Sequence, residues 1–182
     1  MDDVDSPGGY EPYRRYPIGG AAVDFVALAI AVALWTLLEV DSLVGALSLA
    51  HGVVVILTVL PVLMAHEIVH YATGRLLGLT PTIHWGFPTP HAAPLRQHVR
   101  RGQNVAVLLA PTVLISGGAL AATLVVSHPL ALAVCTFVAL VNTACAAGDL
   151  VGATWLAWQP PGTLVYLDAA QDRARELYAR PK

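Results

Sequence analysis

The residues with the most telling chemistry are His66, Glu67 and His70, which spell H-E-x-x-H inside the stretch MAHEIVHYATG at positions 64–74. Residues four apart share one face of a helix. Both imidazoles can therefore meet one zinc ion while Glu67, one position on, stands beside the attacking water. This is the arrangement of a metal-dependent hydrolase. Chance is a weak rival, because 7 His and 4 Glu shuffled among 182 residues give this pattern roughly 0.006 times.

A catalytic zinc needs a third protein ligand and an open position. The apolar sequence after residue 104 offers one carboxylate, Asp149, in NTACAAGDL. A lone aspartate deep in a spanning helix is expensive unless paired or bound to a metal, which makes Asp149 the candidate. Asn142, Cys145 and Asp149 are spaced i, i+3, i+7 and share a helix face.

These residues need apolar elements to carry them. Hydrophobic content is 56%, charged residues are 12% and mean hydropathy is +0.63, outside the ordinary soluble range. The expected fold is an all-α integral membrane protein of about four transmembrane helices, over residues 21–40, about 51–76, 105–127 and 130–158. H-E-x-x-H falls on helix two. Pro61 is expected to kink that helix before His66, and Pro111 to kink helix three. His66 and His70 then lie roughly 23–29 Å along helix two from residue 51, and Asp149 roughly 29 Å along helix four from residue 130, so the depths agree.

Between helices two and three, residues 79–104 hold four prolines, His84, His91, His98 and the basic Arg96, Arg100 and Arg101. Alternation over 80–87 suggests a short β-hairpin or re-entrant segment. Residues 1–20 read as a polar tail, 21–158 as the membrane-embedded domain, and 159–182 as an amphipathic tail in which Asp168 caps a short helix over ARELYAR. Arg14, Arg15, Arg75, Arg96, Arg100, Arg101, Arg173, Arg175, Arg180 and Lys182 all fall on one side of four spans. The positive-inside rule then places both termini in the cytoplasm of a multi-pass cell-membrane protein. Cys135 and Cys145 lie in apolar sequence and are expected to pack as small hydrophobes. With a formal charge of -2 and no basic stripe, nucleic acid is an unsuitable partner.

An H-E-x-x-H on a membrane helix, followed two spans later by Asn142 and Asp149, resembles the site-2 protease intramembrane metalloproteases. The small size, the LLAP at 108–111 and the run from Asn142 to Gly148-Asp149 resemble more closely a domain-of-unknown-function family described as putative zincin peptidases. The resemblance covers about residues 21–158. It implies His66, His70 and Asp149 as zinc ligands and Glu67 as general base. It also implies Asn142 as a substrate-positioning residue or a polar neighbour of the ligands. The implied activity is peptide hydrolysis on a membrane-anchored peptide or protein, in a bilayer-embedded enzyme that is compatible with a homo-oligomer. TACAAG separates Asn142 from Asp149, without the proline usual in site-2 proteases, and Leu150 follows the aspartate. The rival expectation is a catalytically inactive scaffold or regulatory protein that keeps the fold. Haem binding or ion transport through the paired histidines is a third, and it leaves Glu67 without a task.

Overall fold

The computed structural model describes residues 6–17, 20–45, 48–84, 91–170 and 173–182. In chain order the elements are β1 (Arg14–Arg15), α1 (Ala21–Leu37), α2 (Val40–Gly45), α3 (Leu49–Leu57), α4 (Val59–Leu76), β2 (Thr82–His84), β3 (His91–Ala93) and β4 (His98–Arg100). There follow α5 (Arg101–Pro111), a π turn (Thr112–Ser116), α6 (Gly117–Thr123), α7 (Pro129–Cys145), α8 (Ala147–Ala157), β5 (Leu164–Ala170) and β6 (Arg173–Ala179). The protein is mainly helical, yet the all-α expectation is incomplete, because strands cover one end of the helices.

Two helical stretches among the described residues are long and apolar enough to cross a membrane, Leu49–Leu76 and Arg101–Thr123. The bent pair α7 and α8 makes a third if taken as one span. The 17 residues of α1 reach only about 26 Å, short of the roughly 30 Å hydrocarbon core. The first helix therefore ends earlier than expected, at Leu37, and Glu39 takes a left-handed φ of 48° where the chain turns. Helix two starts at Leu49, where the Ser48 side chain accepts from the His51 N–H at 3.3 Å. Its break falls at Thr58, three residues before Pro61, whose missing N–H leaves the Leu57 carbonyl without its ladder donor.

The C-terminal end of α4 is closed by Gly78 at φ 79°. The Leu79 N–H bonds to the Gly74 carbonyl at 2.9 Å and the Gly78 N–H to the Arg75 carbonyl at 3.1 Å, a Schellman closure that turns the chain back. A Cβ on Gly74 would lie 3.1 Å from Pro81. Glycine there lets the returning chain pass against α4. β2 and β3 then pair antiparallel, with Ile83 opposite Ala92, which meets the expectation of a short hairpin in this region.

Helix four was expected as one rod over 130–158. It instead bends by 55° between α7 and α8, at Ala146, which is fully buried. The bend starts a new helix, and Asp149 occupies its first turn. The positive end of the helix dipole favours a carboxylate there.

Both tails differ from expectation. The segment read as an amphipathic helix is the β5–β6 hairpin, running from Leu164 opposite Ala179 to Ala170 opposite Arg173. Residues 14–15, within the segment that reads as a polar tail, pair with Tyr178 and Leu177. The sheet order is β1-β6-β5-β4, antiparallel throughout. Val165, Val99, Leu156, Leu79 and Val107 form a buried cluster beneath it, with Tyr16 and Trp155 packed alongside. Tyr13 stacks on His98 at 6.2 Å. Burial, and then the neighbouring Tyr166 and Tyr10, push its phenol up to about 12, so this docked segment stays uncharged at Tyr13 near neutral pH.

Candidate metal centre

α4 presents His66 and His70 on one buried face, as their spacing requires. Across from them stand the end of α7, which brings Asn142, and the start of α8, which brings Asp149. His66 Nε2 is 3.0 Å from Asp149 Oδ2 and 3.0 Å from His70 Nε2, and His70 Nε2 is 3.3 Å from the same carboxylate oxygen. Glu67 offers a carboxylate oxygen within 4.8 Å of ring nitrogens of both histidines. His66, Glu67, His70, Asn142 and Asp149 are thus brought to one place.

The outer nitrogens of the two rings reveal what the inner ones hold. His70 Nδ1 lies 2.9 Å from the Val107 carbonyl, which can only accept, so His70 carries its proton on Nδ1. Asn142 donates its amide to the Pro111 carbonyl at 3.0 Å and to Ser116 Oγ at 2.8 Å, which turns its oxygen toward His66 Nδ1 at 3.0 Å. His66 therefore also carries its proton on Nδ1. In the neutral rings both Nε2 atoms are bare lone pairs, facing each other and a carboxylate oxygen with no proton between them.

Three acceptors converging in a buried place repel unless a cation joins them. The circle through the three atoms has a radius of about 1.8 Å, inside the roughly 2.0–2.2 Å at which zinc bonds nitrogen and carboxylate oxygen. The residues present therefore fit a zinc ion. Two neutral imidazoles and one carboxylate form a donor set typical of catalytic zinc.

The site opens into a cleft of about 540 Å³. Its walls include Glu67, Ala92, Cys145, Tyr16 and Leu167. Glu67 is half-buried, and one of its oxygens accepts the Ala92 N–H at 2.6 Å. The hairpin thereby holds the carboxylate at the cleft edge. Tyr16 donates to the Gly152 carbonyl at 2.9 Å, and its ring lies 4.5 Å from that of Trp155. Cys145 is exposed rather than packed as a core hydrophobe, and both cysteines are free.

The family described as "Putative zincin peptidase" matches residues 56–164, from the last turn of α3, just before the motif helix, to the first residue of β5. The chain belongs to this family. No curated protein and no solved structure matches the chain. Membership in the zincin peptidases implies zinc, and the His66, Glu67 and His70 cluster is able to bind a metal.

Several features of this zincin peptidase were not read from its sequence. The Val107 carbonyl, Ser116 and the Ala92 N–H act through hydrogen bonds that residue type alone does not announce. Tyr16 lies outside the family match, in the segment that reads as a polar tail. One signal was present: Pro111 lies four residues after Val107, which exposes that carbonyl in any helix through both.

Proposed function

We propose that this zincin peptidase hydrolyses peptide bonds of a membrane-anchored substrate, within or next to the bilayer, with zinc held by His66, His70 and Asp149. The observation that carries the reading is the convergence of His66 Nε2, His70 Nε2 and Asp149 Oδ2 on one point beside Glu67, at the mouth of a cleft between apolar helices. His66 and His70 lie roughly 26–32 Å along the helix from Leu49. That depth is close to the opposite membrane edge, where the sheet closes over the cleft and water has access. The basic residues at that end favour the cytoplasmic side.

When bound, zinc supplies Lewis acidity, lowering the pKa of water and polarising the scissile carbonyl. The chain's own groups do the rest. Glu67 takes a proton from water as its oxygen attacks the carbonyl carbon, and returns that proton to the amine as the C–N bond breaks. Asn142 orients His66, and the Val107 carbonyl orients His70. Ala92, Ala93 and Pro94 on the hairpin side of the cleft are placed to hold an extended peptide beside Glu67.

The test is metal content of detergent-purified protein together with cleavage of single-span reporter proteins in co-reconstituted vesicles. One zinc per chain, lost in His66→Ala, His70→Ala and Asp149→Ala, with cleavage abolished in Glu67→Gln, is the expected result. Full zinc occupancy without cleavage of any reporter, and indifference to Glu67→Gln, would move the weight to a scaffold that retains the metal.

A further inference from the structure

Resting on the zinc reading above, we infer that the stretch Pro111–Ser116 of helix three orients both zinc-binding histidines and fixes which ring nitrogen each turns to the metal. Proline performs the first part through the donor it lacks. With no N–H at residue 111, the helix cannot occupy the Val107 carbonyl from four residues on, and that carbonyl is left to accept from His70 Nδ1 at 2.9 Å. The proline thus leaves a vacancy in the backbone ladder, facing a metal ligand.

The second part follows from the π turn over Thr112–Ser116. In an α-helix, positions five apart lie roughly 140° apart around the axis, whereas an i→i+5 turn stacks them. The π turn therefore brings the Pro111 carbonyl and the Ser116 hydroxyl to one side, where both receive the Asn142 amide, at 3.0 Å and 2.8 Å. Thr143 Oγ1 lies 2.8 Å from Ser116 Oγ and donates to the Ala139 carbonyl at 2.7 Å. Its own proton being committed, Thr143 accepts the Ser116 proton, and Ser116 keeps a lone pair for Asn142. A flipped asparagine would point its oxygen at the Pro111 carbonyl and at the Ser116 lone pair, so the two acceptors together keep its oxygen on His66 Nδ1. Asn142 and Ser116 are almost wholly buried, and water does not compete for these bonds. Pro111, Ser116 and Thr143 touch no substrate; they are positioning residues.

The inference separates from the zinc reading by experiment. Isotope-labelled histidine NMR on the full metal-free protein reads the tautomers, and chelator competition reads zinc affinity. In wild type both rings should carry the proton on Nδ1. Ser116→Ala should shift His66 toward the Nε2–H form and weaken zinc on the order of tenfold, the scale for partners of metal ligands. Ser116→Thr, which keeps the hydroxyl, should stay within about twofold of wild type, as a general packing role would not require. Pro111→Ala restores the backbone donor and should shift His70 instead. Unchanged tautomers in Ser116→Ala and Pro111→Ala would overturn the inference even if zinc binds. Absence of zinc from wild type would overturn the metal reading, while the tautomer shifts would still decide this one. Should Pro111→Ala fail to fold, the Ser116 pair decides alone.

Discussion

Asp149→Asn provides the sharpest test of the metal centre, because it keeps size and shape while changing an acceptor into a donor. With both rings neutral, the wild-type carboxylate oxygen stands 3.0 Å and 3.3 Å from two Nε2 lone pairs. An amide nitrogen in that place donates a hydrogen to each ring. At roughly 1 kcal/mol net per hydrogen bond, the apo site gains about 1–2 kcal/mol. Zinc meanwhile loses its only anionic ligand among the three. Binding of roughly 10–16 kcal/mol shared over four ligands is about 3–4 kcal/mol each, so affinity should fall at least about 1,000-fold once the gain of the apo state is included. At free zinc 1,000-fold above the wild-type Kd, wild type is stabilised by about 4 kcal/mol and the variant by about 0.4 kcal/mol. For a chain of this size these correspond to rises in Tm of roughly 8–16 °C and about 1 °C. Thermal unfolding in detergent, with and without zinc, reads both numbers. A zinc-dependent rise in Asp149→Asn equal to that of wild type would refute the reasoning, and would pass the third-ligand role to Glu67, whose oxygen lies within 4.8 Å of the ring nitrogens.

Other perturbations divide the remaining roles. Glu67→Gln should bind zinc as wild type does and lose reporter cleavage by roughly 10²–10⁴-fold, the scale of a missing acid–base group, in a single-turnover assay. Tyr16→Phe removes the hydroxyl that bonds the Gly152 carbonyl at 2.9 Å and should lower Tm by about 2–4 °C, from roughly 1 kcal/mol. An unchanged Tm would mean that the N-terminal segment does not brace α8. Deletion of Thr82 to Pro94 should leave zinc bound and abolish cleavage, if the hairpin positions peptide; full cleavage in that deletion would exclude this role for it.

The shared helix face of His66 and His70 is legible in the sequence. The pair His66 and His70 is fixed by helical period alone, since positions four apart coincide on any helix, and long apolar runs do not permit many other structures. Asp149 was identifiable because a lone carboxylate in apolar sequence needs a partner. ARELYAR misled because Ala, Arg, Glu and Leu favour helix, yet propensities amount to only tenths of a kcal/mol per residue. Here the segment gains a hydrogen-bonded ladder with β5 on one side and with residues 14–15 on the other. That partnership spans most of the chain and leaves no periodic trace in either segment.

The sequence by itself therefore determined the H-E-x-x-H spacing, the candidate ligands and candidate base, and the apolar helices that carry them, because these rest on short-range geometry and on composition. Tertiary structure alone decided that helix four breaks at Ala146, that the chain's two ends close one sheet over the cleft, and that one proline's absent N–H leaves a carbonyl for His70. Each of these depends on which group stands opposite another across the fold, and hydrogen bonds between distant elements are not encoded in the spacing of either partner.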